Sequence, residues 1–264
     1  MAAGTTGDPC TVSNADLKLA VPIHIQGYDQ GASAPTCIAD LKANTDVVVI
    51  RRVSTCIAGA GSGDCAAAAD GTTYFQSALC NTELALPTVA QRYVVSSTVA
   101  DLNLHKRVCG TAADIRKYIV HIYFIANNNN ASDGIPTLKR AELRAGEFTI
   151  VPLVEGIENL QLEYALDTDG NASPNAYTAD PSTYNGCAGA ACVVNWTNIT
   201  AVKLYLIARS SDIVSGFSDT KVYPMGFKAD GVTQEVGGSP FNDQYKRHAF
   251  TTVVRINNAA GRRE

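Results

Sequence analysis

Charge is scarce in this sequence. Only 17% of its 264 residues are Asp, Glu, Lys or Arg, against about a quarter in an ordinary soluble chain, so the solvated surface must lean on Thr, Ser, Asn and Gln. A net charge of −4 and short basic clusters exclude the cationic face that nucleic acid requires. His105-Lys106-Arg107 and Lys246-Arg247-His248 read as solvated strand ends. No stretch is long and apolar enough to span a bilayer, and no signal peptide opens the chain. Internal repeats and a strong long helix are also missing. So are a Walker loop and a Gly-x-Ser-x-Gly elbow. The histidines are His24, His105, His121 and His248. His121 lies inside an apolar run and reads as a satisfied sheet residue rather than a base for a nucleophile. Glu155, Glu158 and Glu163 share one short segment and read as surface helix charges, not as a glycosidase pair. Aromatics make up 7%, with Trp196 the sole tryptophan. That is thin material for the stacked platforms of a secreted carbohydrate-binding protein. The expectation is a protein that assembles with others rather than an enzyme.

Cysteine is abundant instead. The eight are Cys10, Cys37, Cys56, Cys65, Cys80, Cys109, Cys187 and Cys192. None has C-x-x-C spacing or a neighbouring histidine, which disfavours zinc and thioredoxin chemistry. An even count in Gly/Ala/Ser-rich loops indicates disulfides and an oxidising compartment. Cys187 and Cys192 bracket a flexible Ala-Gly-Ala-Ala loop that lets them approach, and Cys56 with Cys65 closes Ala-Gly-Ala-Gly-Ser-Gly-Asp. The other four allow three pairings, all open at this level. Each bridge should contribute roughly 2–4 kcal/mol. A disulfide-bearing chain must be exported, so residues 1–7 read as a start codon on a flexible lead and the chain as a fragment whose targeting segment has been removed.

A hydrophobic fraction of 46% suffices for a substantial core. Residues 45–53 read as a short buried strand, and residues 115–125, aromatic and β-branched, as a strong one. A polar turn follows at 127–134, and residues 137–142 return to make a hairpin. Residues 154–159 read as a short helical turn. Alternation marks strands at 160–166, at 201–209 with Val202, Leu204 and Leu206 on one face, and at 249–256. Residues 92–95 and 102–108 are weaker strand candidates. Residues 54–90 lack periodicity and read as long cross-linked loops. The predicted class is α+β, mainly antiparallel β, in one domain over 1–264 with 54–90 a Cys-rich insertion.

One loop carries candidate ligands. Asp167, Asp169, Asn171 and Ser173 alternate directly after a strand, with Gly170 allowing a sharp bend, and oxygen ligands so spaced suit calcium. Gly170 stands two positions earlier than an EF-hand requires, and no Glu closes the loop.

The run Leu153-Val-Glu-Gly-Ile-Glu-Asn-Leu-Gln-Leu-Glu-Tyr164 resembles the PilW family of type IV pilus minor pilins. In the same order along the chain, Gly27-Tyr28-Asp29, Asn44-Thr-Asp-Val-Val-Val-Ile-Arg-Arg52, Ile115-Arg-Lys-Tyr118, Asp133-Gly-Ile-Pro-Thr-Leu-Lys-Arg140, Val202-Lys-Leu-Tyr-Leu-Ile-Ala-Arg-Ser210 and Arg247-His-Ala-Phe250 extend the resemblance. It implies a type IV pilin-like sheet and a long N-terminal helix with a processing site, both missing here. The sheet face meant for that helix would then be bare, an apolar strip suited to contacts. It also implies a subunit held first at the periplasmic face of the inner membrane and later near the pilus tip. There it would help initiate assembly with other minor pilins, the major pilin and a tip adhesin. It implies no catalytic residue. The Gly156–Tyr164 run is similar also to pseudopilins of type II secretion, which are the alternative.

Overall fold

The computed structural model describes residues 6–31 and 33–257; residues 1–5 of the lead inferred from the sequence lie outside the described residues. The chain begins with helix α1 (Asn14–Ala20), β1 (Ile25–Tyr28) and β2 (Val47–Val53). The cysteine-rich region holds β3 (Tyr74–Ser77), the single-turn helix α2 (Asn81–Leu84) and β4 (Tyr93–Ser96). A meander follows: β5 (Arg116–Ala126), β6 (Thr137–Arg144) and β7 (Glu147–Glu155). Then come β8 (Ile157–Leu166), β9 (Ala176–Thr178), helix α3 (Ala190–Thr197), β10 (Ile199–Arg209) and β11 (Arg247–Arg255).

The first seven strands form one sheet and the last four a second, ordered β11-β10-β8-β9. All pairings are antiparallel, as the alternating patterns imply. The long strand β5 organises the first sheet. One side pairs with β2; the other is shared, Arg116 and Lys117 pairing with β3 and residues 121–126 with β6. One face of this sheet buries Val47, Val49, Val120, Ile122 and Phe124 under Leu17 of α1. On the other face Val48 and Ile125 pack against Leu160, Leu162, Ile199 and Val202 of the second sheet. Strand β10 alternates as expected. Val202, Leu204 and Leu206 face this inter-sheet core, while Tyr205 and Ile207 enter a smaller core with Tyr223 and Met225.

Several local readings change. Residues 154–159 form no helical turn. They are where the chain leaves the first sheet and enters the second, with only Gly156 between β7 and β8. Its φ of +78° suits glycine, its N–H donates to the Pro136 carbonyl (2.8 Å), and its carbonyl accepts the Arg209 N–H (2.8 Å). A glycine amid so few residues offers too little to nucleate a helix. Residues 54–90 are not only loops: β3 adds to the first sheet and buries Tyr74 and Gln76. Residues 102–108 form no strand, only a bridge of His105 to Ala112. Four disulfides are present: Cys10 with Cys37, Cys56 with Cys65, Cys80 with Cys109 and Cys187 with Cys192. The loop between the last two is partly helical, since α3 starts at Ala190.

Candidate functional site

Several residues of the sequence resemblance meet where the two sheets join. Asp46, at the mouth of β2, is buried; its carboxylate accepts the N–H groups of Gln30 (2.8 Å) and Leu162 (2.7 Å), and its own N–H donates to the Leu160 carbonyl (2.9 Å). Burial pushes its pKa well up, against the pull of those two backbone donors. The Gln161 side chain donates to the Asn44 carbonyl (2.8 Å). Gly27 lets the ring of Tyr164 lie against the β1 backbone; a Cβ there would stand 2.6 Å from Tyr164 Cζ. Tyr164 in turn packs edge-on to Trp196, ring centroids 5.0 Å apart. Trp196 is 1% exposed and cannot serve as a sugar platform.

The second knot lies at the start of β11. Arg247 is not a solvated strand end. Its side chain is fully buried, Nε donating to Glu158 (2.5 Å) and Nη1 to Asp243 (2.5 Å) and Asp219 (3.3 Å). The guanidinium lies 3.8 Å from the centre of the Phe241 ring. Burial works against its charge, but the Asp243 and Glu158 carboxylates overcome this and raise its pKa. Glu158 and Glu163, expected on a helix surface, are both buried in β8. Glu163 accepts the Tyr205 hydroxyl (2.6 Å), Lys203 Nζ (3.3 Å) and the Phe227 N–H (3.1 Å). These carboxylates serve as internal anchors for the long 211–246 connection.

Beyond the packed inter-sheet core the sheets part. An apolar groove of about 360 Å³ opens there, lined by Ile25, Val48 and Ile50 of the first sheet and by Leu204, Val254 and Ile256 on the other side. Alternation places these side chains: Val202 pairs with Val254 and Leu204 with Thr252, so one face of β10 and β11 forms a wall. Arg52 lines the groove and also a neighbouring polar hollow of about 480 Å³ with Lys117, His121, Arg140 and Arg144. Within the hollow Arg140 and Arg144 both bond the Glu142 carboxylate, and Lys117 pairs with Asp64 at 2.8 Å. Burial first, and the charge of Arg140 second, push the His121 pKa down to about 4, so it is neutral at pH 7. The groove was foreshadowed by the alternation of 201–209 and 249–256. The hollow carries no sequence signal, because its cations come from three separate strands.

The candidate calcium ligands do come together, in one tight loop. Asp167 is buried and accepts the N–H groups of Gly170 (2.7 Å), Asn171 (3.1 Å) and Ala172 (3.0 Å). Asp169 accepts from the Asn171 side chain (3.0 Å), and Asn171 from the Ser173 N–H (2.8 Å). These oxygens are engaged in the turn itself. Among the described residues no group of three or more His, Cys, Asp or Glu side chains is arranged to hold a metal.

Comparison with curated proteins found no match, and comparison with solved structures found none either. A family model described as Type IV Pilus-assembly protein W matches residues 122–258, just over half of the chain. The match contains the second half of β5, from Ile122, and all of β6 to β11, hence Glu158, Arg247 and one wall of the groove. The chain belongs to the PilW family of type IV pilus-assembly proteins.

Proposed function

We propose that this protein is a non-catalytic minor pilin that helps initiate type IV pilus assembly near the filament tip, in contact with other minor pilins, the major pilin and a tip adhesin. Family membership gives it a role in pilus assembly and a bacterial cell-envelope location; the stage and the partners are our reading. So are the pilin-like character of the fold and the route from the periplasmic face of the inner membrane to the tip. Among the described residues no helix is long and apolar enough to cross a membrane.

The observation that carries the reading is the open groove between the sheets. Its walls are mostly aliphatic, with His24, Arg51 and Arg52 also lining it, and Val254 at its rim is 49% exposed. An aliphatic groove open to water offers a place for apolar side chains of a partner, and it suits an apolar helix of a pilus subunit. Leu204→Glu with Val254→Glu would place two charges in that groove. In the bacterium that encodes the protein, this double variant should lower the amount of sheared surface pili several-fold. It should also weaken co-purification with the minor pilins of the same gene cluster. Normal piliation after deletion of the whole gene would overturn the proposal.

A further inference from the structure

Every sheet edge is a template for another strand, and folded proteins guard theirs. Here β1 and β9 are only four and three residues long. Strand β4 is also short and covered by α1: Tyr93 donates its hydroxyl to the Lys18 carbonyl (3.2 Å), and Asn14 bonds Ser96 (3.2 Å). Strand β7 is nine residues long, but Pro152 removes a donor from it and the register slips beside that residue. Strand β11 matches it in length and, among the described residues, has no such guard. Between Ala249 and Val254 it reads Ala-Phe-Thr-Thr-Val-Val, with no charge, proline or glycine. Phe250 and Val253 are 51% and 55% exposed.

The ladder with β10 fixes which backbone groups look outward. Ile256 N–H donates to Thr200, and the Lys246 carbonyl accepts from Ser210. Even-numbered residues therefore bond β10, and the N–H and C=O groups of Ala249, Thr251 and Val253 point away from the sheet.

We infer that β11 is an association edge whose occupant is β11 of a second copy of this chain, antiparallel about a two-fold axis at Thr251. The outward-facing residues then meet one another: Ala249 opposite Val253 of the second copy, and Thr251 opposite Thr251. Each such pair exchanges two backbone bonds, about six in all across the edge. Phe250 falls opposite Thr252, so the cross-strand pairs are aromatic with β-branched and Thr with Thr, both favourable. The strand ends bring Arg255 opposite Arg247, whose charge is already neutralised by Glu158, Asp219 and Asp243. No repulsion is left to oppose the register. The two four-stranded sheets become one continuous sheet, and the contact is isologous and closed. This inference stands on edge geometry and is independent of the pilus reading.

Sedimentation velocity over roughly 1–200 µM, a range that brackets a weak-to-moderate dimer, tests it. The mass should climb from 27.9 kDa toward twice that value. Thr251→Pro removes an outward donor and leaves the β10 ladder intact; it should abolish the dimer with the circular dichroism spectrum unchanged. Val253→Lys should do the same by charge, and serves if the proline variant misfolds. The Ala249, Thr251 and Val253 amides should gain protection from deuterium exchange only at high concentration. A monomer throughout the range, or a dimer untouched by both substitutions, would overturn the inference.

Discussion

Replacing Arg247 by Met is the sharpest test of how the second sheet holds its long connection. The side chain is fully buried, and three carboxylates converge on it from β8 and from residues 219 and 243. Methionine fills a similar volume but leaves Asp219 buried with the Tyr223 hydroxyl and, among the described residues, no cation, and Glu158 with only Arg209 at 3.7 Å. Removing one partner of a buried pair costs about 3–5 kcal/mol. Asp243 is 37% exposed, so its share is small after solvent screening. At about 2–4 °C per kcal/mol for a chain of this size, the melting temperature should fall by roughly 10 °C. The pH dependence follows from Asp243, whose pKa is lowered chiefly by its hydrogen bond from Arg247. A carboxylate with a depressed folded pKa stabilises the fold fully above its unfolded value, about 3.9. That contribution fades as pH falls through the folded pKa. The difference between wild type and variant should therefore be widest near neutrality and narrow slightly below about pH 4, by no more than the small share of Asp243. Urea unfolding at pH 7 and at pH 3.5 measures both. Adding Glu158→Gln to the variant should recover part of the loss. A deficit under about 1 kcal/mol at pH 7, the scale of a surface pair, would show that Arg247 is not the anchor described.

Gly27→Ala should destabilise by about 3 kcal/mol or more, because the new methyl overlaps a buried ring that has nowhere to go; a denaturation midpoint within error of wild type would contradict the packing at β1. Serine replacement of the disulfides should follow loop length, with Cys10/Cys37 and Cys80/Cys109 each costing about 3.5 kcal/mol and Cys187/Cys192 about 2 kcal/mol; a reversed order in thermal melts would refute the loop-closure account. His121 should titrate near pH 4 by NMR, and a midpoint at or above 6 would mean the polar hollow is wetter than its geometry implies. Calcium at Asp167, Asp169, Asn171 and Ser173 requires the loop to exchange backbone donors for the ion. Titration calorimetry on chelator-treated protein should show heat that Asp169→Ala removes, and no heat up to millimolar calcium would end that proposal.

Sequence patterns located the strands whose side chains alternate cleanly. Strands β5, β8 and β10 have strong local signals because one or both faces are buried. Strand β7 escaped because Pro152 interrupts it and both faces are largely wet. Helices α1 and α3, of seven and eight residues, are too short to show a stripe and exist because tertiary contacts hold Leu17 and Trp196. The burial of Arg247 is illegible in the sequence for another reason: a charged triplet has the pattern of a solvated strand end, and its partners lie 89, 28 and 4 residues away. The same holds for Asp46, which meets Leu162 across 116 residues. The run at 153–164 has its physical sense only in the fold, where it supplies the Gly156 crossing, Glu158 and the Tyr164 ring.

The disulfide map has a consequence for how the protein is made. Taken in chain order, each cysteine is bonded to the next: first to second, third to fourth, fifth to sixth, seventh to eighth. Eight thiols can pair in 105 ways, and this is the one arrangement that an oxidant would write by joining thiols as they emerge from a translocation channel, amino end first. Every bridge can close before the next cysteine arrives, and no bond need be broken and remade. Shuffling catalysts would then be dispensable for this chain, whereas a fast oxidant at the channel exit would not.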